Sequence, residues 1–311
     1  MDRLNYKGKE IIGIDQGFGN MKTRHIVFKS GIKEYTEKPA FGEDILEYNG
    51  KYYVFGEGHK SFISDKVMDE DYYILTLAAL AKELNVRGIQ KADVILAVGL
   101  PIQWIATQRA AFKEYLLRNE RVSFKHKDVK YEVHICGADV FPQGYAGIIT
   151  EISQFQGVNV LADIGNGTMN ILYINNGKPD SSRCYTEKLG VYQCINQMNN
   201  TILAKCGSTL NEEIIEEFLR YGTANVSQRF ELEMKNVAME YAEQIFLKLR
   251  EYEYNPELMT LHIIGGGGRI IQNFGTYDAN RVEIITDICA TAKGYELLEL
   301  AVLKKADRIG A

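Results

Sequence analysis

GIDQGFGNMK at residues 13–22 has an echo far along the chain, ADIGNGTMN at residues 162–170. Both contain Asp-x-Gly-x-Gly followed by Asn or Thr, the first starting at Asp15 and the second at Asp163. An apolar, β-rich run precedes each (EIIGI and VNVLA), and another strand-like run follows, KTRHIVF at residues 22–28 and MNILYI at residues 169–174. The pattern predicts strand, glycine turn, strand in both places. In a Rossmann or Walker loop the glycines lead into a helix whose N-terminus holds phosphate, whereas here the chain is expected to fold straight back as a hairpin. Neither Gly-x-Gly-x-x-Gly nor Gly-x4-Gly-Lys-[Ser/Thr] is present at these turns. Bare backbone in such a turn lets N–H groups approach phosphate oxygens without Cβ obstruction, and two turns facing each other could clamp a triphosphate.

Around these turns stand residues able to complete a phosphate site. Lys22 opens the second strand of the first hairpin and can reach a phosphate as a point charge. Asp15 and Asp163 offer hard carboxylate oxygens suited to Mg²⁺ through its retained waters, and Thr168 offers a hydroxyl. A third glycine stretch, HIIGGGGRII at residues 262–271, follows another apolar strand. Four consecutive glycines cost a regular element about 1 kcal/mol each relative to alanine, so a need for bare backbone is expected, and close approach of an adenine and ribose is one such need.

The remainder of the chain reads as an ordinary folded α/β protein. Its 311 residues allow two medium domains, and 46% hydrophobic with 25% charged residues exclude disordered and fibrous classes. No stretch is apolar enough for a secretory leader or a membrane span, which places the protein in the cytoplasm. Five cysteines without a Cys-x-x-Cys pair indicate neither a disulfide framework nor a zinc knuckle. A net charge of -5 disfavours direct nucleic-acid binding. Hairpin turns are expected at Asn49-Gly50, Asn176-Gly177 and within residues 124–130. Helices are expected over residues 71–85, 107–119, 144–155, 208–222 and 226–254, with a buried strand at residues 92–101.

The order of glycine turn, glycine turn and glycine-rich strand end resembles the phosphate-1, phosphate-2 and adenosine motifs of the actin, heat-shock chaperone and sugar-kinase superfamily. Within it, GLPIQWIATQRAAFKEYL, FPQGYAG and ATAKGYELLEL resemble segments of the bacterial actin-like proteins of the ParM/StbA type, whose filaments segregate plasmids. The resemblance implies two ribonuclease-H-like, actin-fold domains facing each other across a nucleotide-binding cleft, domain I at residues 1–158 plus 284–311 and domain II at residues 159–283. Asp15, Gly17, Gly19, Asn20 and Lys22 would form the first phosphate loop, and Asp163, Gly165, Gly167 and Thr168 the second. Gly265, Gly266, Gly267 and Gly268 would lie against the adenosine, with Glu216 or Glu217 bordering the purine. Hydrolysis of ATP or GTP with Mg²⁺ would need a side chain to orient water: Asp139 by the ParM-type spacing from Pro142, or Gln143 as the glutamine that actin uses, with Asp163 as a further catalytic carboxylate. The expected partners are further copies of the chain in a head-to-tail filament and a DNA-binding adaptor of ParR type, with no membrane. A small-molecule kinase of the sugar or acetate type, sharing both glycine hairpins but not polymerising, is the rival.

Overall fold

A computed structural model describes residues 3–42, 44–56 and 69–310, and the chain forms two compact units: residues 1–150 with 289–311, and residues 151–288. The first contains β1 (Asn5–Tyr6), β2 (Lys9–Gln16), β3 (Asn20–Lys22), β4 (Val27–Lys29), β5 (Ile32–Tyr35), β6 (Ile45–Tyr48) and β7 (Lys51–Phe55). After these come α1 (Glu70–Arg87), β8 (Lys91–Leu100), α2 (Ile102–Leu117), β9 (Arg121–His126) and β10 (Val129–Pro142). Strands β2, β8 and β10 are parallel neighbours at the centre, and the hairpins β2–β3–β4 and β10–β9 extend the sheet antiparallel on either side. Central strands buried on both faces explain the unbroken apolar runs: Ile12, Ile14, Leu96 and Val98 pack with α1, while Ile11 and Ala97 pack with Tyr295.

The second unit contains β11 (Val158–Ile164), β12 (Met169–Asn175), β13 (Lys178–Glu187), α3 (Val191–Cys206), α4 (Glu212–Tyr221) and α5 (Gln228–Glu251). It continues with β14 (Thr260–Ile264), α6 (Gly268–Phe274) and β15 (Val282–Ile284). Its sheet runs β13-β12-β11-β14-β15, with β11, β14 and β15 parallel and β12, β13 antiparallel. The chain then returns to the first unit as α7 (Ala290–Gly310), packed on β2.

The three expected hairpins form with the left-handed residues such turns require: Asn49 and Gly50 (φ 51° and 74°), Asn176 and Gly177 (47° and 74°), and Lys127 and Asp128 (51° and 62°). Two expectations fail for identifiable reasons. KTRHIVF is not one strand, because Thr23 to Ile26 form a turn in which the Thr23 N–H donates to Ile26 O (2.8 Å) and the Ile26 N–H to Thr23 Oγ1 (3.2 Å). That turn sends Arg24 and His25 to buried carboxylates. Residues 144–155 are not one helix but two short 3₁₀ segments, Tyr145–Ile148 and Ile152–Gln154. The first is pressed against α7 so closely that a Cβ on Gly294 would lie 1.8 Å from Ala146 O. Gly144, at φ 81°, turns the chain into it.

Candidate functional site

The first glycine turn joins β2 to β3, whose register sets Asp15 opposite Lys22. The Gly17 N–H donates to Asn20 O (3.1 Å), and a Cβ on Gly17 would sit 2.6 Å from that oxygen, so the turn closes only on glycine. Ser30 is fully buried and braces the loop from behind: its N–H donates to Gly19 O (3.0 Å) and its hydroxyl to Gly17 O (2.7 Å). Asp15 is 4% exposed, with Lys22 Nζ donating to Oδ2 (2.8 Å) and Gln143 Nε2 to Oδ1 (2.8 Å). Gln143 reaches it because β10 ends at Pro142, and the Gln143 N–H donates to Leu100 O (2.8 Å), fixing the residue beside the end of β8. A carboxylate, an ammonium and a primary amide thus converge at the mouth of a glycine turn, an arrangement that can bind an anion and order a water.

Asp139 is elsewhere. Its Oδ1 accepts from Lys113 Nζ (2.9 Å), and its charge lies close enough to Glu299 of α7 to act on that carboxyl. Burial, reinforced by the Asp139 charge, pushes the Glu299 carboxyl up to about 8, so Glu299 keeps its proton at neutral pH. The structure therefore brings Asp15, Lys22 and Gln143 together and leaves Asp139 in a separate cluster.

Behind the first turn lies a group of charges that sequence reading missed. Arg87, the last residue of α1, donates to Glu83 (2.8 Å), Glu10 (2.9 Å) and Glu296 (2.9 Å), and its side chain is wholly buried. Arg24 Nε also donates to Glu296 (2.5 Å), while Thr23 and His25 contact Glu83 (2.6 and 2.8 Å). The Gly13 N–H donates to Glu296 too (3.1 Å). Nothing in the sequence points to this group, since Arg87 lies just beyond the helix expected over residues 71–85 and the other partners are up to 283 residues apart.

The second glycine turn joins β11 to β12, with Asp163 opposite Asn170. The Gly165 N–H donates to Thr168 O (2.9 Å), and the first N–H groups of α3 hold the turn from outside: Val191 donates to Gly165 O (3.0 Å) and Tyr192 to Asn166 O (2.8 Å). Gly190 is needed there, since a Cβ would meet Asn166 O at 2.3 Å. Residues 165–168 are partly exposed, Gly167 and Thr168 among them.

The four-glycine run lies against this turn. Gly265 has φ 85°, and a Cβ there would lie 2.5 Å from Ile164 O and 2.9 Å from Asp163 Oδ1. Gly267 donates its N–H to Ile164 O (2.9 Å) and leaves no room beside the Ile164 side chain, where a Cβ would be 2.1 Å from Cγ2. Two of the four glycines are thus required by packing on β11, whereas Gly266 meets nothing nearer than Val191 at 4.0 Å and stays open to a ligand. Gly268 begins α6, which packs on α4 through Phe274 on Phe218 and through Asn273 donating to Leu219 O. On α4, Glu216 is half-buried and Glu217 exposed.

Comparison with known proteins gives the fold. Residues 13–145 match the family of actin-like proteins, N-terminal domain. No curated protein sequence matches the chain. Among solved structures, the apo pSK41 ParM protein is 17% identical with a TM-score of 0.73, covering 97% of this chain and 100% of that one. The archaeal actin homologue Ta0583 in complex with ADP is 18% identical with a TM-score of 0.74, covering 92% and 97%. A ParM from Clostridium botulinum, solved as a 15-stranded filament, is 20% identical with a TM-score of 0.72, covering 94% and 99%. The resemblance to actin-like proteins read from the glycine motifs is borne out, and the chain has the actin fold.

Proposed function

From an actin fold whose two glycine turns each carry a buried aspartate, we propose a nucleotide-dependent, filament-forming ATPase that drives plasmid segregation by polymerising. The observation that carries the reading is the Asp15, Lys22 and Gln143 cluster at the first turn, in a chain folded like an ADP-bound actin homologue and a ParM filament. In this reading the backbone of residues 17–20 and 165–168 cradles phosphate, Lys22 neutralises its charge, and Gly266 borders the adenosine. Asp15 and Asp163, 4% and 9% exposed, each offer the carboxylate oxygens that Mg²⁺ takes through its waters, and in this reading the ion would neutralise phosphate charge. Gln143 is the better candidate than Asp139 for orienting the attacking water, because it hydrogen-bonds Asp15 while Asp139 is engaged by Lys113. Self-association and a ParR-type adaptor follow from the filament reading, and the net charge of -5 accords with reaching DNA through an adaptor.

Light scattering of the purified protein tests the proposal: it should rise on addition of Mg·ATP and decay as phosphate is released. Flat scattering together with sugar-stimulated ADP formation would favour the kinase alternative. Gln143→Ala should lower phosphate release about 100-fold and Asp139→Ala less than about threefold at saturating ATP. The reverse order would return the water-orienting role to Asp139.

A further inference from the structure

Near the start of β8 and in the middle of β10, Asp93, His134 and Cys136 put one ligand atom each within 4.8 Å of the others, the one such three-residue group among the described residues. His134 Nδ1 lies 3.0 Å from Asp93 Oδ1 and 3.4 Å from Cys136 Sγ. We infer that these three side chains form a zinc site, with water as the fourth ligand.

The backbone explains how the set is assembled. His134 is the register partner of Asp93 across the parallel pair, so both project on the same face. Between Ile135 and Gly137 the register slips by one residue, leaving Cys136 as the extra residue of a bulge. The slip is visible in the core: Val133 and Ile135 point inward before it, Ala138 and Val140 after it. Cys136 therefore stays on the side of His134.

The distances match the ligand chemistry. Tetrahedral zinc with bonds of about 2.0–2.3 Å to oxygen, nitrogen and sulfur needs ligand atoms about 3.3–3.6 Å apart. The two separations to His134 Nδ1, 3.0 Å and 3.4 Å, lie close to that span, and the third is within 4.8 Å, which side-chain rotation can close. An oxygen, an imidazole nitrogen and a thiolate form a borderline set that suits Zn²⁺ over Mg²⁺ or Ca²⁺, which take oxygen donors. Access is open, since Asp93 and His134 border a surface depression lined also by Lys91, Arg121 and Glu132. An ordinary cross-strand ion pair accounts for Asp93 with His134, but it does not account for the bulge that adds a thiol to the pair.

Cobalt(II) titration of the untagged, reduced full-length protein tests the site. Wild type should develop a thiolate-to-cobalt charge-transfer band saturating at one equivalent and displaced by zinc. Cys136→Ser should abolish the band, and Asp93→Asn and His134→Ala should each weaken zinc binding of the order of tenfold or more. All three residues are at least partly exposed, so the variants should retain the wild-type circular dichroism spectrum and nucleotide turnover. Absence of the band in wild type, or an undiminished band in Cys136→Ser, overturns the proposal without touching the nucleotide reading.

Discussion

Across the first hairpin Asp15 faces Lys22, and across the second Asp163 faces Asn170. The aspartates occupy equivalent positions in equivalent turns, yet one is opposite a cation and the other opposite a neutral amide. What holds each turn differs in the same sense. Side chains hold the first: Ser30 beneath the loop, Gln143 and Lys22 on the aspartate, and the Arg87 and Arg24 network behind. Close backbone packing holds the second, through the N-terminus of α3 and glycines that admit Ile164. The same local motif can thus be rigidified by charge in one unit and by missing side chains in the other, so the two should fail under different insults.

The sharpest break is expected behind the first turn. Arg87→Ala strands Glu10, Glu83 and Glu296 without their shared guanidinium and should destabilise the first unit by about 3–5 kcal/mol, measured by urea denaturation. In the second unit the corresponding weakness is a methyl group. Gly265→Ala forces a left-handed residue to carry a Cβ against Ile164 O and should cost about 3 kcal/mol, while Gly266→Ala should cost less than about 1 kcal/mol. If both cost the same, packing on β11 is not what the run is for.

The charge asymmetry itself is sharpened by a matched pair. Lys22→Ala should slow phosphate release about 100-fold, and Asn170→Ala less than about threefold, because only the first removes a cation from the turn. Equal losses would erase the distinction between the turns.

A smaller effect reports on Asp139. The Glu299 carboxyl ordinarily titrates near 4.5 but is raised to about 8 in the fold, so the folded chain keeps a proton that the unfolded chain has lost. Stability should fall as pH rises from about 4.5 through 8 and level off above, since the unfolded state binds fewer protons across that window. Glu299→Gln should flatten this slope and gain on the order of 2 kcal/mol over wild type at pH 8.5, in thermal denaturation followed across pH. A slope unchanged by the substitution would rule out a Glu299 carboxyl held protonated by its burial beside Asp139.

The turns, the flanking hairpins and the α/β class were legible because each depends on residues adjacent in sequence: alternation, Asn-Gly pairs, and glycines at fixed spacing from an aspartate. Asp15 and Lys22 could be paired by counting along one hairpin. The preference for Gln143 over Asp139 could not, because it turns on where β10 ends and on Lys113 of α2 reaching Asp139. The buried network was equally hidden: Glu10, Arg24, Glu83, Arg87 and Glu296 look like scattered surface charges until the sheet and two helices converge on them. KTRHIVF misled because its apolar content said strand while Arg24 and His25 had partners that only tertiary structure supplies.

The placement of Glu296 on α7 has a consequence for synthesis. Arg24 and Arg87 leave the ribosome more than 200 residues ahead of the carboxylate they share, whereas residues 151–288 emerge as an uninterrupted block. Vectorial production should therefore let the later-encoded half mature while the earlier one waits, open to chaperones, for its last helix. Nascent chains cut off after position 288 and held on the ribosome by an unrelated linker, so that the last helix is missing, should resist protease over residues 151–288 while residues 1–150 are still cut, and protection of both would contradict this order.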